Sequence, residues 1–451
     1  MERAKFSFVI GNIVYGTLLC MAVLFYLERT AFVDISFHIF YILKDGYFAI
    51  QNFRFGSFVT QAFPLVTSYL SLPLNYIMLS YSLGFALVYW VHFNLQFRID
   101  YKYGLVMLML STLMVNDTFY WIQSELPQGL AFLCLLLAFL SYYSKKKKAF
   151  FFYPSFIFLI FITSFIHPLV LFPFLFGVTF LYIKREIDAD MFLGATLSYL
   201  VFFGIKTLFF ATSYDSQSME GINNIFILFP SYFTLDSNIQ FLSDLITDYY
   251  LVLIGLILVL VYYLFKERFF LFFLVFLFFV GYAFLVNISY PQGAAKFYME
   301  NLYLPLSIFV AFPLAFDLFP SIGFKYFGFI LLLGCLLRCT HIYCQNTPYS
   351  ERVDYLLEMI DSCSEDKVIR APSEEEEKIL QMVWATPYEI WLLSTIKTGE
   401  TKSMVLIDNP EELNWARDRN KSFITKWGVF DYENLPERYF NFQDTSPYRY
   451  K

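Results

Sequence analysis

Charge is what this 451-residue sequence has least of: 16% of its residues are Asp, Glu, Lys or Arg, where a soluble domain carries about 25%. With 58% of residues hydrophobic, that shortage excludes a chain that faces water throughout. Histidine occurs four times and cysteine six times, and the spacing matches no zinc-ligand pattern, so a metal site is possible but not indicated. A basic excess is missing too. The net charge is −6, the acid excess lies from Ile342 onward, and the part before it is nearly balanced, so a basic nucleic-acid surface is not indicated. There is no internal repeat, no Gly/Ser-rich linker and no small-residue cleavage site after the first apolar run. That run, Phe6 to Tyr26, therefore reads as a retained helix and not as a removed leader.

What the sequence has in quantity is aromatic and aliphatic bulk: 58 Phe and 35 Tyr. A helix needs about 20 apolar residues to cross the hydrocarbon. Candidate spans are 6–26, 72–93, 103–115, 126–143, 150–166, 168–183, 191–212, 249–265, 269–288, 302–319 and 326–340. The fifth and sixth meet at His167-Pro168, where one broken helix would change the parity. Basic residues decide the matter. With the N-terminus inside, the inner connectors hold Arg3, Lys5, Arg98, Lys102, Lys145 to Lys148, Lys184, Arg185, Lys266, Arg268 and Lys325. The outer segments hold only Arg29, Lys44, Arg54 and Lys296. This bias predicts an all-α polytopic membrane domain of about eleven spans, with a turn at His167-Pro168, over residues 1–341. It also places a soluble α/β domain, 342–451, on the outer face.

Three outer segments exceed a connector's needs: 27–71, 213–248 and the tail. The tail's texture is mixed. Val353, Leu356, Leu357 and Ile360 recur at helical spacing, and 367–371 and 403–407 read as short strands. Ser373 followed by Glu374 to Glu377 is a helix start with acids at its positive end, and that helix is expected to run through Trp384. Cys335, Cys339, Cys344 and Cys363 cluster where the last span ends. Free thiols and a disulfide of Cys344 with Cys363 or Cys339 both remain open at this point, with metal binding, for which only His341 lies nearby, as the lesser alternative.

The polar residues least at home in lipid lie on the outer side. Apolar residues recur every three or four positions over 33–50, which predicts an amphipathic interfacial helix. Asp34 and His38 share one face of it. For Asp34 the bland alternative is a helix cap, and for His38 a solvated neighbour. Glu125 opens the fourth span, where complementing the helix dipole would be reason enough for it. His167 is equally readable as a structural histidine. Lys206 is the one clear charge inside a span, roughly 9 Å from its outer end by helical rise. Snorkelling to the headgroups competes there with an anionic partner. Lys296 and Glu300 follow the ninth span. With Arg29, Lys44 and Arg54 these residues make an outer site of carboxylates, histidine and cations. Cations can hold a phosphate and stabilise it as it leaves, and a carboxylate or histidine can deprotonate a hydroxyl.

On these residues the chain resembles the GT-C class of membrane glycosyltransferases, as architecture over most of its length. Members carry an acidic residue early in the first outer loop, the place of Asp34, and several carry a Ser-Glu-type signature like Ser124-Glu125. The resemblance implies a polyprenyl-phosphate-linked sugar as donor, a lipid, glycan or protein as acceptor, and inversion at the sugar. It makes Asp34 the base, supported by Glu125 and His38, with Arg29, Lys44, Arg54, Lys206, Lys296, Glu300 and His167 as ligands of the lipid phosphate or substrate. No cofactor is implied. The frequent Phe, Tyr, Ile and Lys point to a bacterial cytoplasmic membrane as the setting. There is no paired Asp-Glu in the first loop and no sequon-reading signature in the tail, which argues against an oligosaccharyl transferase. A polysaccharide polymerase or ligase is the second reading, but 213–248 has no Arg or His. A transporter or flippase is the third, although it would be expected to show repeats and midplane charges in both halves.

Overall fold

The computed structural model describes residues 2–123, 125–146, 152–212, 225–363, 365–416 and 418–450. Helix dominates. In chain order the first ten are α1 (Glu2–Leu24), α2 (Tyr26–Thr30), α3 (Val33–Asp45), α4 (Phe58–Tyr69), α5 (Leu74–Ile99), α6 (Tyr101–Leu110), α7 (Leu126–Ser144), α8 (Phe152–Ile166), α9 (Leu171–Ile183) and α10 (Ala189–Phe209). Six helices among the described residues are long and apolar enough to cross a membrane: α1, α5, α7, α10, Phe269–Ser289 and the one that begins at Phe324. The number is eight when two bent pairs each count as one span. These are Asp236–Thr247 with Tyr250–Phe265, bent by 86°, and Lys296–Tyr303 with Pro305–Ser321, bent by 40°. A polytopic membrane protein is therefore the coarse result, and length and composition do not by themselves carry the count to eleven. α6, α8 and α9 are apolar but short. At His167-Pro168 the chain does break. Proline disfavours helical backbone in the residue before it, and His167 is extended between α8 and a 3-10 turn.

The bundle is knit around α5, which packs against α1, α4, α6 and α7. Lys206 is not the one charge within the bundle's apolar helices. Arg338 sits 1% exposed in the helix Phe324–Cys344, and Asp317 is buried in the tenth predicted span. Each is affordable because its bonds are made internally. Arg338 donates to the carbonyls of Thr112, Val115 and Asp248. Asp317 pairs with Lys184 and Arg268 and accepts from Tyr263. Six free cysteines include all four of the predicted cluster.

The amphipathic stretch after α2 forms α3, but it ends at Asp45 and does not continue to residue 50. Gly46 takes a left-handed conformation, φ +71°, and its N–H closes on Ile42, a helix stop that glycine permits at little steric cost. The apolar face of α3 is covered by protein. Phe40 is fully buried, with ring centres of Tyr388, Trp391, Phe423, Phe430 and Phe440 at 4.9–5.6 Å.

The tail is mixed α/β, as its texture predicts. Strands β1 (Lys367–Arg370), β2 (Ser403–Leu406), β3 (Ser422–Thr425), β4 (Gly428–Asp431) and β5 (Arg449–Tyr450) form two small sheets. β1 pairs in parallel with β2 and β5, with Val368 opposite Met404 and Arg449. Parallel neighbours require a crossover, supplied by Glu374–Leu380 and Thr386–Thr398. The first of these starts on a capping box, Ser373 with Glu376, the reciprocal arrangement that its acid-rich start allows. It stops at Leu380, short of Trp384, because Gln381 turns to φ +57°.

Candidate functional site

Five of the ten predicted site residues converge. Asp34 lies in the first turn of α3, half-buried, and accepts a hydrogen bond from Trp121 Nε1 at 3.2 Å. Arg54 arrives on the loop before α4 and pairs with Glu125 at the start of α7. Both side chains of that pair are at most 8% exposed. The charges of Glu125 and Arg54 are close enough to act on Asp34. Arg54 and Lys206 likewise act on His167, at the corner after α8. Lys206 Nζ donates to the carbonyl of Phe165 at 3.0 Å, one of the orphan acceptors at the end of α8. It therefore does not snorkel: it is 4% exposed and satisfies a helix end where a cation is favoured. Aromatic contacts bring the same elements together, Phe53 and Phe165 both meeting Phe210 at 5.4–5.6 Å.

The electrostatics follow from this crowding. Burial, then the negative charge of Glu125, push the Asp34 carboxyl up to about 7, against the opposing pull of the Trp121 N–H and Arg54. A base of that strength is half ionised near neutral pH, where general-base catalysis is most efficient. Burial pushes the His38 imidazole down to about 4, so it is neutral, and its Nδ1 has no hydrogen-bond partner among the described residues. His167 is also held well below its usual value, by burial first and then by Arg54 and Lys206. Its Nδ1 accepts from the N–H of Leu169 at 3.2 Å.

Backbone strain brackets the cluster. Val33, just before Asp34, has φ +38°, and Asn52 and Phe53, just before Arg54, have φ +50° and +55°. Such conformations cost on the order of 1–3 kcal/mol each and collect at functional sites. What holds Val33 comes from the tail. Its N–H donates to Glu389 Oε1 at 2.6 Å, and Glu389 is clamped by Arg352 at 2.7 and 2.6 Å. Arg352 also donates to the carbonyl of Ala31 and stands over the ring of Phe32. No local pattern in the sequence points to this contact, because Val33 and Glu389 are 356 residues apart.

The remaining predicted residues go elsewhere. Arg29 is 1% exposed and donates to the Phe119 carbonyl and to Ser82, stacking on Phe119 at 4.3 Å. Lys44 pairs with its neighbour Asp45 and faces the Tyr41 and Phe430 rings. Lys296 pairs with Asp248 at 2.7 Å, where His341 also approaches. Glu300 is 1% exposed and accepts from the N–H groups of Asn116, Asp117 and Thr118, the Thr118 hydroxyl and Tyr249. It pins the turn that carries Trp121, a structural task in place of substrate binding. Glu300→Gln is expected to lower stability by about 1.5–3 kcal/mol, the worth of hydrogen bonds to a charged acceptor. A thermal-unfolding scan of the purified variant checks this, and an unchanged midpoint would refute it. Ser124 of the Ser124-Glu125 signature, and residues 213–224 of the predicted second outer segment, lie outside the described residues.

Among the described residues no three His, Cys, Asp or Glu side chains are grouped so as to hold a metal ion. The arrangement is instead a proton acceptor beside two cations and one neutral imidazole, at the ends of apolar helices, with a second neutral imidazole, His38, four residues along α3. Comparison with protein-family models, with curated proteins and with solved structures found no match to this chain.

Proposed function

We propose that this chain is a GT-C-like membrane glycosyltransferase that moves a sugar from a polyprenyl-phosphate donor to a lipid, glycan or protein acceptor. The observation that carries the reading is the cluster of Asp34, Arg54, Glu125, His167 and Lys206. It combines a carboxyl held near neutrality with buried cations, the pairing that displacement of a phosphate requires. Asp34 takes the proton of the acceptor hydroxyl as its oxygen attacks the anomeric carbon. The bond from that carbon to the phosphate oxygen breaks, and the phosphate leaves with the electron pair toward Arg54 and Lys206. Glu125 orients Arg54, and His38 and His167, both neutral, offer hydrogen bonds to sugar hydroxyls.

The topology we infer is eleven spans: the eight of length and hydropathy, with α6, α8 and α9 as three shorter ones. The charge bias of the connectors supports an N-terminus inside and a tail outside, and we take the membrane to be the cytoplasmic membrane of a bacterium. The site then opens on the outer leaflet, where a lipid-linked donor presents its phosphate.

The test is transfer by the purified chain in liposomes containing a radiolabelled polyprenyl-monophosphate sugar, read as released polyprenyl phosphate. Lys206→Met is expected to raise KM for the donor about tenfold, roughly the loss of one charge-assisted hydrogen bond, with kcat changed less. No transfer by the unmodified chain from any donor of this class would defeat the proposal. An unchanged donor KM in Lys206→Met would restrict that residue to capping α8.

A further inference from the structure

The hairpin β3–β4 carries a residue that its turn does not call for. Thr425 pairs with Gly428, so Lys426-Trp427 is the two-residue loop, a place where turn chemistry favours Asn and Gly. Trp427 is 58% exposed there. It is nevertheless held in place. Its ring centre lies 4.4 Å from that of Trp384 at 48° and 6.1 Å from that of Phe37 at 89°, while Phe37 meets Trp384 edge-on at 6.1 Å. Phe37 belongs to α3, three residues after Asp34, and Tyr41 follows at seven, so the patch continues the helix face of the proposed base. Trp121, which donates to Asp34, is in contact with Tyr298.

We propose that Trp427, with Trp384 and Phe37, is the acceptor subsite: a stacking platform for a pyranose ring of an acceptor glycan. The inference rests on the transferase reading above. A fixed, exposed indole offers a large apolar face and a polar N–H at low conformational cost, which matches a sugar ring with one C–H face and hydroxyls at its rim. The rival occupant is the lipid interface, where Trp is also frequent. The hairpin argues against it, because its other exposed residues are charged, Lys426 beside Trp427 and Asp431 at the far end of β4 opposite Ser422, and an anionic side chain has no favourable place against the apolar side of a bilayer.

The experiment is calorimetric titration of the full chain in phospholipid nanodiscs with cellohexaose, maltohexaose and chitohexaose. At least one is expected to bind. Trp427→Ala is expected to weaken that binding about tenfold, or ~1.4 kcal/mol, and Trp427→Phe, which keeps a ring, by less. Trp415→Ala removes a tryptophan that is 61% exposed elsewhere on the tail and is expected to change nothing. Binding of none of the three sugars, or equal binding by Trp427→Ala and the unmodified chain, would overturn the subsite. So would equal losses in the Trp427 and Trp415 variants. Asp34→Asn separates the two readings: it is expected to abolish transfer and keep sugar binding. Transfer retained in that variant would remove the base while leaving the platform standing.

Discussion

Asp34→Asn is expected to reduce kcat by about 10²–10⁴-fold, the usual contribution of a general base, with donor KM little changed because the carboxyl does not hold the phosphate. In the unmodified chain, activity should rise with pH through an inflection near 7 and then level, since burial and Glu125 push the Asp34 carboxyl up to about 7. Glu125→Gln removes the negative neighbour and should move that inflection downward. The same displacement governs stability with the opposite preference. A carboxyl whose folded value lies above its ordinary 3.8 folds best when protonated, so its contribution is full below about 4 and is lost as pH rises through about 7. Asparagine stays neutral throughout. The variant should therefore be inactive yet no less stable than the unmodified chain at pH 8, a combination that misfolding cannot imitate. Near-normal turnover, or a rate profile flat from pH 5 to 8, would remove Asp34 as the base.

The parts of this molecule that could be read from sequence are those whose physics is local. Apolar runs announced the helices, the capping box at Ser373 announced a helix start, and short β-branched runs announced β1 and β2. Asp34, Glu125, His167 and Lys206 stood out because each is polar where its neighbours are not, and a polar group in that setting needs a partner. The partners themselves were not legible. Arg54 and Glu125 are 71 residues apart, and nothing in either neighbourhood selects the other. Arg29 and Glu300 gave the same outward signal as Arg54 and Lys206, yet their hydrogen bonds go to backbone groups of the turn at 116–119. A charged side chain near a membrane surface can neutralise a ligand or tie down a loop, and composition does not distinguish the two. Arg338 was hidden for a different reason. It lies in an apolar run that stays long enough to span with it included, although its bonds to Thr112 and Asp248 join three parts of the bundle.

The tail's grip on the segment between α2 and α3 should have the largest effect on stability. Arg352 and Glu389 are 1% and 0% exposed. Removing one member of such a pair strands a buried charge, which costs about 3–5 kcal/mol. Glu389→Ala is expected to show that loss as a lower unfolding midpoint. Arg352→Met combined with Glu389→Leu should recover much of it, since an apolar pair strands no charge. Stability is only half of what Glu389 does, because its carboxylate also accepts from Val33, whose φ of +38° is unfavourable for a β-branched residue. In the double variant the core is refilled but Val33 has lost its acceptor, so the strained turn is free to relax and carry Asp34 with it. Displacements of about 1 Å at a reacting group cost on the order of 10²-fold in rate. The double variant should therefore unfold nearly as the unmodified chain does and still transfer sugar far more slowly, with donor KM little altered. If restoring stability also restores kcat, Glu389 is only a fastener for the tail. If kcat stays low, the tail positions the base, and the contact between the chain's two ends is part of the proposed catalytic apparatus.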